Sequence, residues 1–350
     1  DVAYVTMGQL RGGLIIATAV ASAIFGAVCG SGAATNVAIG KTAIPEMQKR
    51  NYNPSLALGA VACSGTLGFM IPPSSVFIIY GIITEESIGK LFIAGILPGI
   101  LLTVLFALTA LFVCWIKPEW GPAGEATTIK QKFRSLFGLA DALILFLLVI
   151  GGLFAGFFSP TMAGAIGAAG AIVIGVVRRE MTWGKFVEGL KESLRLSCMI
   201  FILIVGALIF GHFITASTLS TSLVEWVTTS GMSSLGIIVF VSVLFFILGC
   251  FIDITPILLL LVPLFYPLIV KSGYNVIWFG VIVVTLCMIG IVTPPVGTNI
   301  FVTKGLVGDK YSLNTIIKGV LIFVIPLIIG LIILIAFPDI SLFLPGFMTY

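Results

Sequence analysis

The sequence predicts an all-α, polytopic membrane protein with inverted repeats, each copy holding a re-entrant helical hairpin and a broken transmembrane helix. Three observations carry this prediction. Apolar residues make up 59% of the 350 residues and charged residues 9%, against roughly 25% charged in soluble domains. A water-soluble fold of that composition would expose apolar surface everywhere, and a lipid solvent removes the problem. Apolar stretches of spanning length recur along the chain, and the sequence resembles itself at an offset of 222 residues.

In chain order, residues 13–44 are too long for one crossing and too short for two, with a small polar centre at Gly30-Ser31-Gly32-Ala33-Ala34-Thr35-Asn36. This pattern predicts a hairpin that dips into the membrane and returns on the same side. Residues 55–83 form a crossing interrupted by Pro72-Pro73. Proline supplies no amide hydrogen and clashes with the preceding turn, so the pair breaks the helix. Plain crossings follow at 91–116, 139–157, 161–177 and 197–215. Between the last two, residues 183–195 alternate charge with Trp183 and leucines, which predicts an amphipathic segment along the cytoplasmic surface. Residues 235–270 repeat the hairpin pattern around Asp253-Ile254-Thr255-Pro256, residues 276–302 repeat the broken crossing around Pro294-Pro295, and 320–337 is a last plain span. These divide the chain into 1–90 and 235–311 as a two-part transport domain, with 91–234 and 312–350 as scaffold.

Threading these elements with the first hairpin's ends in the cytoplasm places every basic residue inside except Lys90 and Lys271. Such a split fits the positive-inside rule and puts Tyr350 outside. The net charge of +4 is spread along the chain, and no basic run with interleaved aromatics occurs, which argues against nucleic acid as a partner. Six scattered cysteines without a CxxC read as small apolar packing residues. The chain starts at Asp1 without a signal peptide, and its start is expected to lie inside a longer protein.

At the offset of 222, Pro45 matches Pro267, Tyr52-Asn53 matches Tyr274-Asn275, Gly68 matches Gly290, and Pro72-Pro73 matches Pro294-Pro295. Five full crossings separate the two hairpins, so the second copy is inverted relative to the first. Inverted repeats with interrupted helices are a recurring design of secondary transporters, with binding at the midplane of the repeat interface. Freed backbone groups are tolerated at that depth only when they are buried in protein or face a wet cavity.

A helix broken at the midplane presents carbonyls at one new end and amides at the other. Carbonyls suit Na⁺ and amides suit a carboxylate. One candidate ion site therefore combines Ser31, Gly32 and Asn36 with Gly65, Thr66 and Gly68. A second combines Asp253 and Thr255 with Gly290, Thr293 and Gly297. Asp253 at membrane depth is a functional candidate and equally a candidate helix cap. For an anionic substrate the candidates are Ser74, Ser75, Thr298 and Asn299, just beyond each break. Lys304 reads first as a snorkelling lysine and second as an anion attractor. His212, the single histidine, sits near the outer end of its span. HExxH, GxSxG and Walker-type loops do not occur, so metalloprotease, serine hydrolase and ATPase chemistry find no support.

Several motifs in this chain resemble those of the large membrane subunit of tripartite ATP-independent periplasmic (TRAP) transporters. They are the hairpin run from Gly30 to Asn36, Ile44-Pro45-Glu46-Met47, Tyr52-Asn53-Pro54 and Gly65-Thr66-Leu67-Gly68-Phe69-Met70-Ile71-Pro72-Pro73-Ser74. Thr293-Pro294-Pro295-Val296-Gly297-Thr298-Asn299 continues the match in the second copy, and the resemblance covers essentially the whole chain. It implies an elevator-type carrier in which hairpins and broken helices move against a scaffold, and Na⁺-coupled import with two or more Na⁺ sites. It further implies an extracytoplasmic substrate-binding protein, a small membrane subunit that is fused or separate, and bacterial or archaeal inner-membrane localisation. The substrates it implies are C4-dicarboxylates, sialic acids and other small organic anions. The resemblance also implies N-terminal helices that this sequence does not include. The alternative reading is a stand-alone Na⁺/dicarboxylate-type symporter of the same superfamily. A membrane enzyme would need a paired acid and base, and only Asp253 is at hand. A channel would not couple strictly to Na⁺.

Overall fold

The computed structural model describes residues 9–123 and 140–348. Lys130, Lys132, Arg134 and Tyr350, which entered the sidedness argument, lie outside the described residues. Within them the chain is helical throughout, with at least five helices long and apolar enough to cross a membrane.

The first hairpin is α1 (Gly13–Cys29) and α2 (Gly32–Lys49), which pack on one another. The first broken crossing is α3 (Pro54–Ser64), a four-residue turn α4 (Leu67–Met70) and α5 (Ser75–Thr84), bent by 43°. It is interrupted twice, at Gly65-Thr66 as well as at the prolines. α6 (Ile88–Ile116), α7 (Ala140–Phe154) and α8 (Pro160–Val177) match the expected plain spans.

α9 (Trp183–Ala216) corrects an expectation. The amphipathic 183–195 segment is not a separate element lying on the surface but the first third of one continuous helix. Its Lys, Glu, Leu and Arg are good helix formers, and no proline stops them. At 34 residues this helix is about 51 Å long, against a hydrocarbon core of about 30 Å. α10 (Leu219–Thr229) was not anticipated. The second copy follows with α11 (Ser234–Gly249), α12 (Ile254–Lys271), α13 (Val276–Gly290), α14 (Thr298–Val307) and α15 (Leu313–Ala336), followed by a short α16 (Asp339–Leu342) and a 3-10 turn at Pro345–Phe347.

Element boundaries recur at the offset of 222. α2 and α12 share both ends under that shift, and α3 and α13 share their starts. Local chemistry explains the shared starts. Asn53 Oδ1 accepts from Leu56 N at 3.2 Å, and Asn275 Oδ1 accepts from Ile277 N at 2.9 Å and Trp278 N at 3.2 Å. Each asparagine thereby satisfies amides that the first turn leaves orphaned. Both double prolines hold a cis peptide bond.

The packing exchanges the copies. α2 of the first copy packs on α14 of the second, and α12 of the second packs on α5 of the first. Likewise α3 packs on α15, and α13 packs on α6. The core sits where these pairs meet. α13 is buried from Trp278 to Gly290 and α3 from Leu56 to Ser64, as expected of helices apolar on every side. By contrast, α8 buries only Ala163, and α9 exposes Phe201, Ile202, Leu208 and Ile209. These are surfaces suited to lipid.

The contact of α3 with α15 is a backbone-on-backbone crossing. A Cβ placed on Gly319 would collide with the Ser55 carbonyl, and one on Gly59 would collide with the Gly319 backbone. Neither neighbour is a flexible side chain that could give way. Gly319→Val is expected to cost about 3 kcal/mol or more, read as a lowered midpoint of thermal unfolding in detergent. Gly305→Ala, where the added Cβ meets nothing within 4 Å, is expected to leave the midpoint within a degree or two.

Candidate functional site

The first hairpin tip is a left-handed Gly30 (φ 63°) followed by an extended Ser31. Gly30 is required twice over, because its φ disfavours other residues and a Cβ there would collide with Pro73 O. Ser31 O accepts from Thr35 N at 3.0 Å and from Thr35 Oγ1 at 2.7 Å, and Ser31 Oγ accepts from Ala34 N at 3.4 Å. The tip is pinned to the first break. Gly30 O accepts from Ser75 N at 3.3 Å and from Ser75 Oγ at 3.1 Å.

The structure brings the first candidate ion-site residues together. A Cβ on Gly68 would lie 2.7 Å from Thr35 Oγ1 and 2.9 Å from Ser31 O, and one on Gly65 would lie 2.8 Å from Asn36 Cβ. Gly32 packs against the Phe69 ring. Thr66 is buried and its hydroxyl donates to Cys63 O at 2.6 Å.

The second tip follows the same plan with different chemistry. Asp253, the counterpart of Ser31 at the offset of 222, caps α12 by accepting from Ile254 N at 2.9 Å. The capping reading of Asp253 therefore holds, and the side chain remains exposed. This tip is pinned beyond its break by Val296 N donating to Cys250 O at 3.1 Å. Gly290 crosses Gly249 so closely that a Cβ on it would lie 2.6 Å from the Gly249 Cα. Thr293 Oγ1 donates to Ile289 O at 2.6 Å, and Gly297 takes φ 55°. Among the described residues no hydrogen bond joins Asp253 or Thr255 to Gly290, Thr293 or Gly297.

The four substrate candidates divide into two pairs. Ser74 is fully buried, with its hydroxyl donating to Phe69 O at 2.5 Å and capping Phe77 N at 3.4 Å. Asn299 is 1% exposed. Its Nδ2 donates to Ala62 O at 3.1 Å and its amide to Ile291 O at 3.1 Å. Ser75 and Thr298, in contrast, are exposed at the first residues of α5 and α14.

Sequence reasoning missed the network that ties the copies together. Asn36 Nδ2 donates to Asn299 O and to Thr303 Oγ1, each at 3.1 Å, and Thr303 Oγ1 lies 2.9 Å from Asn299 O. All three residues are essentially inaccessible. Thr303 stands four residues after Asn299, and Thr35 four after Ser31. That helical spacing was the available signal, since it stacks side chains on one face. Lys304 is taken up locally, with Nζ donating to Gly308 O at 2.5 Å and to Tyr311 O at 3.0 Å. It braces the end of α14 instead of reaching the tips. Among the described residues no three His, Cys, Asp or Glu side chains cluster. The oxygens at the first tip come from the main chain, Ser, Thr and Asn, a neutral set, and the second tip adds the Asp253 carboxylate; both sets suit a hard cation of low charge.

The family model described as "Tripartite ATP-independent periplasmic transporter, DctM component" matches residues 1–340. The chain belongs to that family. Among curated relatives, it is similar to the C4-dicarboxylate TRAP transporter large permease protein DctM of Pseudomonas aeruginosa, at 36% identity over 99% of this chain and 81% of that protein. It is 35% identical to the isethionate TRAP transporter permease protein DctMQ of Oleidesulfovibrio alaskensis, covering 97% of this chain and 53% of that protein. It is 32% identical to the sialic acid TRAP transporter large permease protein SiaM of Vibrio cholerae, covering 97% and 79%. The chain is thus a transporter permease component of the inner membrane and not an enzyme.

The Asn36–Asn299–Thr303 network is fully buried, so each truncation leaves a polar partner unsatisfied. Asn36→Ala and Thr303→Ala are each expected to cost about 1–3 kcal/mol. The double variant should cost less than the sum, with a coupling of at least about 0.5 kcal/mol. Thermal unfolding in detergent checks both values.

Proposed function

We propose that this permease imports a small organic anion by coupling it to Na⁺, as the large membrane subunit of a TRAP transporter. The observation that carries the reading is the meeting of two interrupted backbones across the exchanged copies. The N-terminal poles of α2, α5, α12 and α14 begin at the two tips and the two breaks. Helix N-termini favour anions, and the exposed Thr298 hydroxyl stands at one of them, while the Ser75 hydroxyl at another is donated to Gly30 O and would have to turn from it to meet an anion. The carbonyls that end α1, α4, α11 and α13 offer the opposite polarity, fit for Na⁺. Na⁺ at Ser31, Thr66 and their neighbouring carbonyls, and at the Asp253–Thr255 tip, would lower the cost of bringing a carboxylate to the same crevice.

The substrate class follows three of the relatives, whose names specify C4-dicarboxylate, isethionate and sialic acid, while others are named for ectoine. All three are anions with compact, strongly accepting head groups. Delivery by an extracytoplasmic binding protein and completion by a small subunit belong to the same proposal. So does the orientation with the C-terminus in the periplasm.

In this reading the hairpins and broken helices shift together against the remainder. The glycine crossing of α3 on α15 makes those two helices one rigid unit. On this proposal α15 travels with the first broken helix, a departure from the expectation that 312–350 belongs to the scaffold, and the fixed part is drawn from 91–234.

The test is uptake into proteoliposomes that hold the permease with its small subunit. An inward Na⁺ gradient plus the cognate binding protein should give accumulation, and omission of either should abolish it. Accumulation without the binding protein would instead establish the stand-alone symporter. Accumulation without Na⁺ would remove the coupling altogether. Asp253→Ala and Thr255→Ala are each expected to raise the Na⁺ concentration for half-maximal uptake about tenfold, and an unchanged Na⁺ dependence removes the second tip from the ion path.

A further inference from the structure

Beside the first hairpin tip lies a cavity of about 690 Å³ that the transport reading does not use. One wall is the end of α1 at Ala27 and Val28, Pro73 at the break, and Ile78 and Ile82 of α5. The facing wall is α7 and α8. Apart from Thr161 at one end, the side chains that line it are apolar.

Its dimensions and polarity specify an occupant. α8 borders it from Pro160 to Ala171, a run that rises about 17 Å. That is close to one leaflet of a hydrocarbon core about 30 Å thick. Water finds no partners on such walls, and an empty trough would leave its lining without dispersion contacts. The floor has spare room, because a Cβ on Gly164 would meet nothing within 4 Å and one on Gly167 only Val149 Cγ2 at 3.5 Å.

The mouth is different. It is bordered by the first turns of α6 at Ile88 and of α8 at Pro160 and Thr161. Two helix N-terminal poles therefore border one end of the apolar trough; Ser87 Oγ takes Lys90 N and Ser159 Oγ takes Met162 N, each at 3.3 Å, which leaves the Ile88, Gly89 and Thr161 amides without an intrahelical partner. Their partial positive charge complements a phosphate.

We infer that this trough binds a membrane phospholipid, one acyl chain lying along α8 and the phosphate at the N-terminal poles of α6 and α8. The lipid comes from the leaflet that holds the α5–α6 turn. Its chain ends against Ala27, Val28 and Pro73, directly beneath the tip. Occupancy then limits how closely the tip and the first break can approach α7 and α8.

The experiment uses the chain in phosphatidylethanolamine vesicles doped with an analogue that carries a diazirine at the end of one acyl chain. After irradiation, mass spectrometry locates the adducts. The trough residues 27–28, 145–149 and 163–171 should carry at least fivefold more adduct than Phe201, Ile202 and Leu208 on the exposed face of α9. Gly164→Trp, which fills the floor, should cut trough labelling at least fivefold and leave α9 labelling unchanged. Ala168→Phe repeats the test should the first variant fail to fold. A diacylglycerol with the same diazirine and no phosphate should label the trough several-fold less. Equal labelling of trough and α9, or labelling indifferent to both filling variants, overturns the site. Equal labelling by the diacylglycerol overturns the role of the phosphate. Loss of trough labelling when the small subunit is added shows that protein, not lipid, covers the trough, and overturns the proposal.

Discussion

An amide or carbonyl without a partner costs several kcal/mol in hydrocarbon, and this protein places two breaks in its backbone where it can least tolerate them. The remainder of the architecture can be understood as the answer to that constraint. Each break is closed by a hairpin tip, Gly30 O taking Ser75 N and Cys250 O taking Val296 N. What the tips do not satisfy is covered from the other copy, as when Asn299 Nδ2 reaches the Ala62 carbonyl. The breaks hold because two copies complete each other.

Much of this was legible in the sequence because its signals are local. Proline pairs announce their own helix breaks, and Tyr-Asn before an apolar run announces an N-cap. The offset of 222 aligned them, and the second hairpin's expected end at 270 is one residue from that of α12, whereas α2 takes in most of the Gly30–Asn36 run and continues to Lys49, five residues past the expected end at 44. The Asn36–Asn299–Thr303 network was not legible as a network. Its partners are more than 260 residues apart, and no spacing rule reaches that far. Asn36 and Asn299 were singled out for chemistry with ions and substrate. The structure shows both side chains already engaged with protein, which is where a buried amide in an apolar interior has to be.

Residues 183–195 illustrate the opposite failure. The amphipathic pattern was real, but pattern alone does not say where a helix stops. With no proline or glycine between Lys191 and the apolar run, and with the Ser193 hydroxyl turned back to Gly189 O at 2.8 Å instead of capping a new start, α9 continues without interruption. The plain spans were easier, since length and hydropathy suffice. The close crossing of Gly59 with Gly319 shows why membrane helices use small residues at contacts. Between apolar helices in lipid there is little hydrophobic drive, and backbone proximity is what remains.

The two tips share a backbone plan but not a charge, with serine at one and aspartate at its counterpart. A monovalent cation resting beside Asp253 forms a neutral pair, whereas beside Ser31 it remains a net positive charge. For any motion that carries the tips through part of the membrane field, voltage then acts on opposite legs of the cycle. Under the Na⁺-coupled cycle proposed above, the loaded leg would be driven at the serine tip and the empty leg at the aspartate tip, each by up to about 2.3 kcal/mol per 100 mV for a full charge. On that proposal a protein built from two like halves would acquire an electrical direction that its symmetry alone would deny it.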